Sequence, residues 1–209
     1  MSLAAFRKTV SDCMTDAMSA QGFGRYGRGF RKRFDGGFFL VSYNEKKVGD
    51  KLAYCGAIGV RLDAVESYLE SYLYSNLVET KHNVTIGGTL PQLTNDSAYR
   101  HNIQIDGDFS RCGSNICADI NANLYRFDSW GSVENLDSLL NTGDLAENVP
   151  GIFVPINRIA VGLITAKLAE NPKYEGLESK YVEMAAQLAN GFYLEKTKTL
   201  VRALRTPAE

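Results

Sequence analysis

Two aromatic runs, Phe30–Phe34 and Phe38–Tyr43, stand on either side of Asp35-Gly36-Gly37. An Asp-Gly pair between such runs is a strong hairpin signal, because glycine supplies the positive φ that a tight turn needs. Strands joined this way are antiparallel, so the sheet starts as a meander and not as a βαβ unit. Alternation along Phe30-Arg31-Lys32-Arg33-Phe34 puts Phe30, Lys32 and Phe34 on one face and Arg31 and Arg33 on the other.

The flanking sequence extends this picture. Leu3, Phe6, Val10, Cys13, Met14 and Ala17 recur at helical spacing, with Ser2 as N-cap and Gly22 as a left-handed terminator. A third strand is expected over Lys51–Arg61, after a loop at Asn44–Asp50, with Gly56 and Gly59 marking a bulge or a close neighbour. Asp63-Ala-Val-Glu66 is a capping-box variant that opens a helix ending near Leu77, and its Tyr68, Tyr72 and Tyr74 need a wet edge or a partner. Further strands are expected at His82–Ile86, Asn102–Asp106 and Asp119–Phe127. From Ser129 onward the period is helical, with stripes over Val133–Leu140, Ile156–Leu168, Leu177–Leu188 and Phe192–Leu204. This order is α+β: an antiparallel sheet with helices packed on one face and a helical C-terminal portion. The chain reads as a single domain over 1–209. A subdivision into a sheet-containing part, 1–145, and a helical part, 150–209, falls where Gly, Asn, Asp and Pro cluster.

Charge is uneven along the chain. Residues 1–34 carry seven basic and two acidic groups, net +5, which leaves 16 basic against 22 acidic, net −6, for the rest. The near-neutral total, −1, gives no overall field to draw the molecule to nucleic acid or anionic lipid. No apolar run approaches the roughly 20 residues that span a bilayer, and no signal-peptide core is present, so a cytoplasmic protein without membrane contact is expected. Four scattered cysteines do not make a disulfide scaffold.

The basic character centres on Gly22–Phe34, GFGRYGRGFRKRF. Its opening matches G-x-G-x-x-G, but a dinucleotide fingerprint needs a strand before it and a helix after it, and here the order is reversed. Arg28-Gly29-Phe30 begins like an RNA-binding strand motif, which then fails because Arg31 and Lys32 stand where a small residue and an aromatic belong. Arg25, Arg28, Arg31 and Arg33 therefore form a candidate basic surface. Nucleic acid is disfavoured as its partner, and pairing with the acidic remainder of the chain is the simpler expectation.

Catalytic and metal patterns are sparse. Cys112-Gly-Ser-Asn-Ile-Cys117 has a wider gap than a zinc knuckle and no second pair, and His82 and His101 complete no motif, so neither metal nor cofactor is expected. Asp106-Gly-Asp108 reads first as a turn. With Tyr99 and His101, Asp106 and Asp108 make the nearest polar cluster for a ligand site. Trp130, the single tryptophan, reads as a core anchor.

The N-terminal helix, the Gly22-Phe23 pair and Gly27-x-Gly29-Phe30 entering a strand are carried by about the first 75 residues. In these the chain resembles the bacterial domain of unknown function numbered 4304. The resemblance implies a small α+β bacterial protein and carries over no site. A non-enzymatic binding or protein-interaction role is therefore expected, covering a partner protein as immunity proteins do. The alternatives are an enzyme or small-ligand binder with a pocket between the sheet and the C-terminal helices, and weak nucleic-acid binding through the basic strand.

Overall fold

A computed structural model describes residues 3–72, 84–145 and 147–206. Helix α1, Leu3–Ser19, buries Phe6, Val10, Met14 and Met18 along one stripe. It ends in a left-handed cap: Gly22 has φ +80°, its N–H reaches the Ser19 carbonyl at 3.0 Å, and the Phe23 N–H reaches the Met18 carbonyl at 3.0 Å. These paired bonds satisfy carbonyls that the helix end would leave open, and Phe23 folds back into the core at 5% exposure. The glycine and the aromatic after it therefore act as terminator and tuck.

Strands β1, Gly24–Tyr26, β2, Gly29–Phe34, and β3, Gly37–Val48, follow as an antiparallel meander. Phe34 pairs with Gly37, so Asp35-Gly36 is the two-residue hairpin turn, with Gly36 at φ +86°. Strand β3 runs on to Val48 where the sequence suggested a loop from Asn44, and β4, Lys51–Leu62, starts after only Gly49-Asp50. Asn44, Glu45, Lys46 and Lys47 are polar enough to read as loop, yet a polar strand is stable when one of its faces is wet. Helix α2, Asp63–Tyr72, follows directly, and the expected continuation to Leu77 lies outside the described residues. His82 and Asn83 lie outside them too. The next strand described is β5, Ile86–Thr89, which leads into α3, Leu90–Thr94, and then β6, His101–Gln104. The sheet order is β1-β2-β3-β4-β5, with β6 also paired to β4. The α+β class follows from this antiparallel sheet and its helices.

The strand expected at Asp119–Phe127 is instead helical. Residues Cys112–Asn121 form α4, a short turn follows, and α5 spans Arg126–Trp130. Gly113, Ile116, Cys117 and Ile120 are all buried, and that i, i+3, i+4, i+7 stripe outweighs the strand-like look of the later residues. After α5 come α6, Val133–Asn141, α7, Pro155–Leu168, α8, Tyr174–Gln187, and α9, Leu194–Arg205.

Contacts group the chain into two units, one of 1–60 and 87–127, the other of 61–86 and 128–209. In the first, α1 packs along α4, and Phe6 meets Tyr43, Tyr54 and Phe109. In the second, α7 packs against α2, α6, α8 and α9. A buried polar network ties three of those helices. Arg158 donates to the Tyr181 hydroxyl and to the Leu140 carbonyl, Tyr181 donates to Asn141 Oδ1 at 2.7 Å, and Asn141 donates to Asp137 at 2.6 Å.

Candidate binding face and its cleft

The sheet of the first unit has a covered face and an open one. Odd positions of β3 turn toward the helices: Phe39 stacks on Phe127 at 4.5 Å, Tyr43 meets Phe6 at 6.2 Å, and the Glu45 carboxylate accepts from Arg7 Nε at 2.8 Å. Tyr54 of β4 points the same way, 5.6 Å from Phe6. Alternation then sends Phe38, Leu40, Ser42, Asn44, Lys46 and Val48 to the opposite face. Register adds Arg31, opposite Leu40, and Arg33, opposite Phe38. Lys51, Ala53 and Cys55 of β4 share that face, as do Asn102, paired to Ala53, and Gln104, paired to Lys51.

The charged side chains of this open face are Arg31, Arg33, Lys46, Lys51 and, at its rim, Arg100. Among the described residues, the positions of β2, β3, β6 and the Lys51–Cys55 part of β4 that share this face carry no carboxylate. Asp35 and Asp50 belong to the turns, and Glu45 is held on the far side between Arg7 and Arg28, its side chain only 4% exposed. The Oε2 of Glu45 has no hydrogen-bond partner among the described residues.

The four arginines expected to make one basic surface divide between these faces. Arg25 bonds Ser11 and, at 3.4 Å, Thr15 on α1, and lies over the Phe30 ring at 5.3 Å. Arg28 pairs with Glu45 and overlies Tyr43. Lys32, on the covered face like Phe30, donates to the Gln21 carbonyl at 3.1 Å beside the helix terminus. Only Arg31 and Arg33 look outward. Arg31 lies 4.2 Å above the Tyr26 ring and 6.0 Å from that of Phe38, which is 4% exposed.

The residues expected to converge as a ligand cluster sit in separate surroundings. Tyr99 ends a 3-10 turn, Ser97–Tyr99, capped by Asp96. Asp106 is exposed in the turn after β6. Asp108 caps the next 3-10 turn, accepting from the Ser110 N–H at 2.9 Å and hydroxyl at 2.8 Å, and those bonds hold its carboxyl below the usual range. His101 Nε2 lies 2.7 Å from Asp119 Oδ2, with its ring stacked on Tyr54 at 5.2 Å. No hydrogen bond, ion pair or ring contact joins any two of Tyr99, His101, Asp106 and Asp108.

The four cysteines are free thiols. Cys112 neighbours the Tyr54 hydroxyl, whose pKa burial pushes up to about 12, while Cys117 neighbours Cys13 on α1 and is likewise raised to about 12 by burial. The two cysteines of the Cys112–Cys117 pair therefore point to different partners. Among the described residues no group of three or more His, Cys, Asp and Glu could hold a metal ion, and no helix is long and apolar enough to cross a membrane.

On the open face a cleft of about 480 Å³ lies between β3, β4 and the segment from Thr89 to Arg100. Asn44, Lys46, Val48, Ala53 and Cys55 line it from the sheet, and Thr89, Gln92 and Arg100 from the other side. The sequence reading missed this cleft because it took Asn44–Asp50 for a loop. Following the period-2 pattern from Phe38 through Val48 would have carried Asn44 and Lys46 onto the face of Arg31.

No family model matches the chain, and no curated protein or solved structure matches it.

Proposed function

We propose that this chain is a non-enzymatic interaction protein that docks an acidic protein surface on the open face of its sheet. The observation that carries this reading is the charge of that face, where Arg31, Arg33, Lys46, Lys51 and Arg100 stand without a carboxylate among them. A face of one sign steers an oppositely charged partner and rejects like-charged ones. The rest of the chain carries net −6, so the cationic face is a local feature that bulk charge hides.

A protein partner is favoured over nucleic acid by what has happened to the aromatics. Sequence-tolerant binding of single strands uses bare rings on which bases stack. Here Arg31 already occupies the Tyr26 ring, and Phe38 is buried. Catalysis is disfavoured by the surroundings of His101. It is oriented by Asp119, but no thiol or hydroxyl nucleophile hydrogen-bonds it among the described residues.

The test is affinity capture from the native host with the wild-type chain and with the Arg31→Glu/Arg33→Glu double variant. The expected result is a protein retained by the wild type, released by rising salt and by the double variant, and cross-linked to the sheet through an acidic segment. Equal retention by the double variant, or salt-sensitive retention of DNA or RNA in place of protein, overturns the reading.

A further inference from the structure

We infer that the cleft between β3, β4 and the Thr89–Arg100 segment is a binding site for a phosphorylated small molecule. Ligand sites commonly enclose roughly 300–1,000 Å³, and the cleft encloses about 480 Å³. That is much more room than a lone phosphate fills, so an organic body accompanies the anion.

The polar lining is built of donors. Lys46 and Arg100 approach from different elements, and neither has an ion-pair partner among the described residues. Gln92 is fixed in direction: its Oε1 accepts from the Thr89 hydroxyl at 2.6 Å and from the Thr89 N–H at 3.2 Å, so its amide N–H groups remain to donate elsewhere. Asn44 adds a further amide. The one carboxylate on a lining residue, that of Glu45, is turned through the sheet to Arg7 and Arg28 and presents no charge to the cleft.

A guanidinium and an ammonium with neutral amides between them suit a phosphoryl group. The planar fork of arginine engages two of its oxygens, and lysine acts as a point charge. Val48 and Ala53 offer apolar surface for the body of the ligand, and Cys55 places a thiol on the sheet wall. Burial raises that thiol's pKa, Arg100 opposes the rise and Asp119 adds to it. The cleft shares Lys46 and Arg100 with the proposed docking face, whereas Arg31 and Arg33 do not line it, so the two readings are separated by variants at Arg31 and Arg33.

Calorimetric titration of the full chain tests it, using ribose 5-phosphate, glycerol 3-phosphate and adenosine monophosphate, each against its dephosphorylated counterpart, with citrate and inorganic phosphate as controls. At least one phosphorylated probe is expected to bind about tenfold more tightly than its counterpart and than inorganic phosphate. The same probe is expected to slow alkylation of Cys55 by iodoacetamide, read by peptide mass mapping. Lys46→Ala and Arg100→Ala, at exposed positions, are each expected to weaken binding about tenfold while melting like the wild type, and Arg31→Glu/Arg33→Glu is expected to leave it unchanged. The inference is overturned if no phosphorylated probe outbinds its counterpart, if citrate protects Cys55 as well as the best phosphate ester, or if inorganic phosphate binds as tightly as the esters.

Discussion

Tyr181 of α8 packs its phenol end directly over Gly162 of α7, so that a Cβ built on that glycine would stand 2.5 Å from Tyr181 Cζ and 2.9 Å from Arg158 Nη1. The helices approach this closely because one of them offers no side chain. Gly162→Ala gains about 1 kcal/mol of helix propensity. It also forces Tyr181 out of a fully buried site and away from Arg158 and Asn141, and overpacking of this kind costs about 1–3 kcal/mol before the broken hydrogen bonds are counted. A net loss of about 2 kcal/mol is expected, read as a lowered urea midpoint of equilibrium unfolding. An unchanged or raised midpoint contradicts the close approach.

Removing the hydroxyl alone separates packing from polarity. Tyr181→Phe keeps the ring but leaves the Arg158 Nη1 and Asn141 Oδ1 contacts unmade in a buried site. Stripping a buried donor or acceptor of its partner costs about 1–3 kcal/mol. The Gly162→Ala/Tyr181→Phe double variant is expected to lose less than the sum of the two single losses, because both act on the same contact. Strict additivity in the double-mutant cycle would show the two sites to be independent.

How much of this was legible in the sequence depended on whether the deciding forces were local. The Asp35-Gly36 turn and the Gly22 terminator are set by backbone conformation at one or two residues, and sequence reading placed them correctly. The strand expected at Asp119–Phe127 falls on the end of α4 and the start of α5, because the residues that make α4 helical, Gly113, Ile116, Cys117 and Ile120, signal only through what they bury against. The outward course of Arg31 and Arg33 was legible from alternation. The inward use of Arg25 and Arg28 was not, since it rests on Ser11, Thr15 and Glu45, which the fold brings up from 10 or more residues away. The cleft depends on Lys46 and Arg100 meeting across a gap of more than 50 residues, and no spacing rule reports that.

Arg28 and Arg31 are three residues apart and are expected to fail in different ways. Arg28→Ala strips one of two cations from the nearly buried Glu45 carboxylate, leaving Arg7 to hold it. Arg28 itself is largely exposed, so the loss is moderate, about 1 kcal/mol of unfolding free energy. Arg31→Ala removes an outward cation and its cover over Tyr26, and is expected to cost less than that while weakening capture of the protein partner. Chemical denaturation and capture measured side by side check the contrast. Loss of capture by Arg28→Ala without loss of stability would assign Arg28 to the docking face instead.

Glu66 gives a pH dependence whose sign can be worked through. It is 1% exposed, accepts from the Thr85 hydroxyl at 2.8 Å and lies 3.6 Å from Arg61 Nη1. Burial raises its pKa above the ordinary 4.5, although Thr85 and Arg61 pull it down. The fold therefore binds this proton more tightly than the unfolded chain does. The group's contribution to stability is fully present below the unfolded value and is lost as pH rises through the folded one. Glu66→Gln keeps an acceptor for Thr85, leaves Arg61 its bonds to Asp63 at 2.9 Å and Glu70 at 3.0 Å, and does not titrate. At neutral pH the variant is expected to match or exceed the wild type, and the wild type is expected to gain on it as the solution is acidified toward about pH 4.5. Urea midpoints of both proteins, compared across the range in which both stay folded, decide the matter. A wild type that instead loses ground on acidification would mean that the pairing with Arg61 outweighs burial.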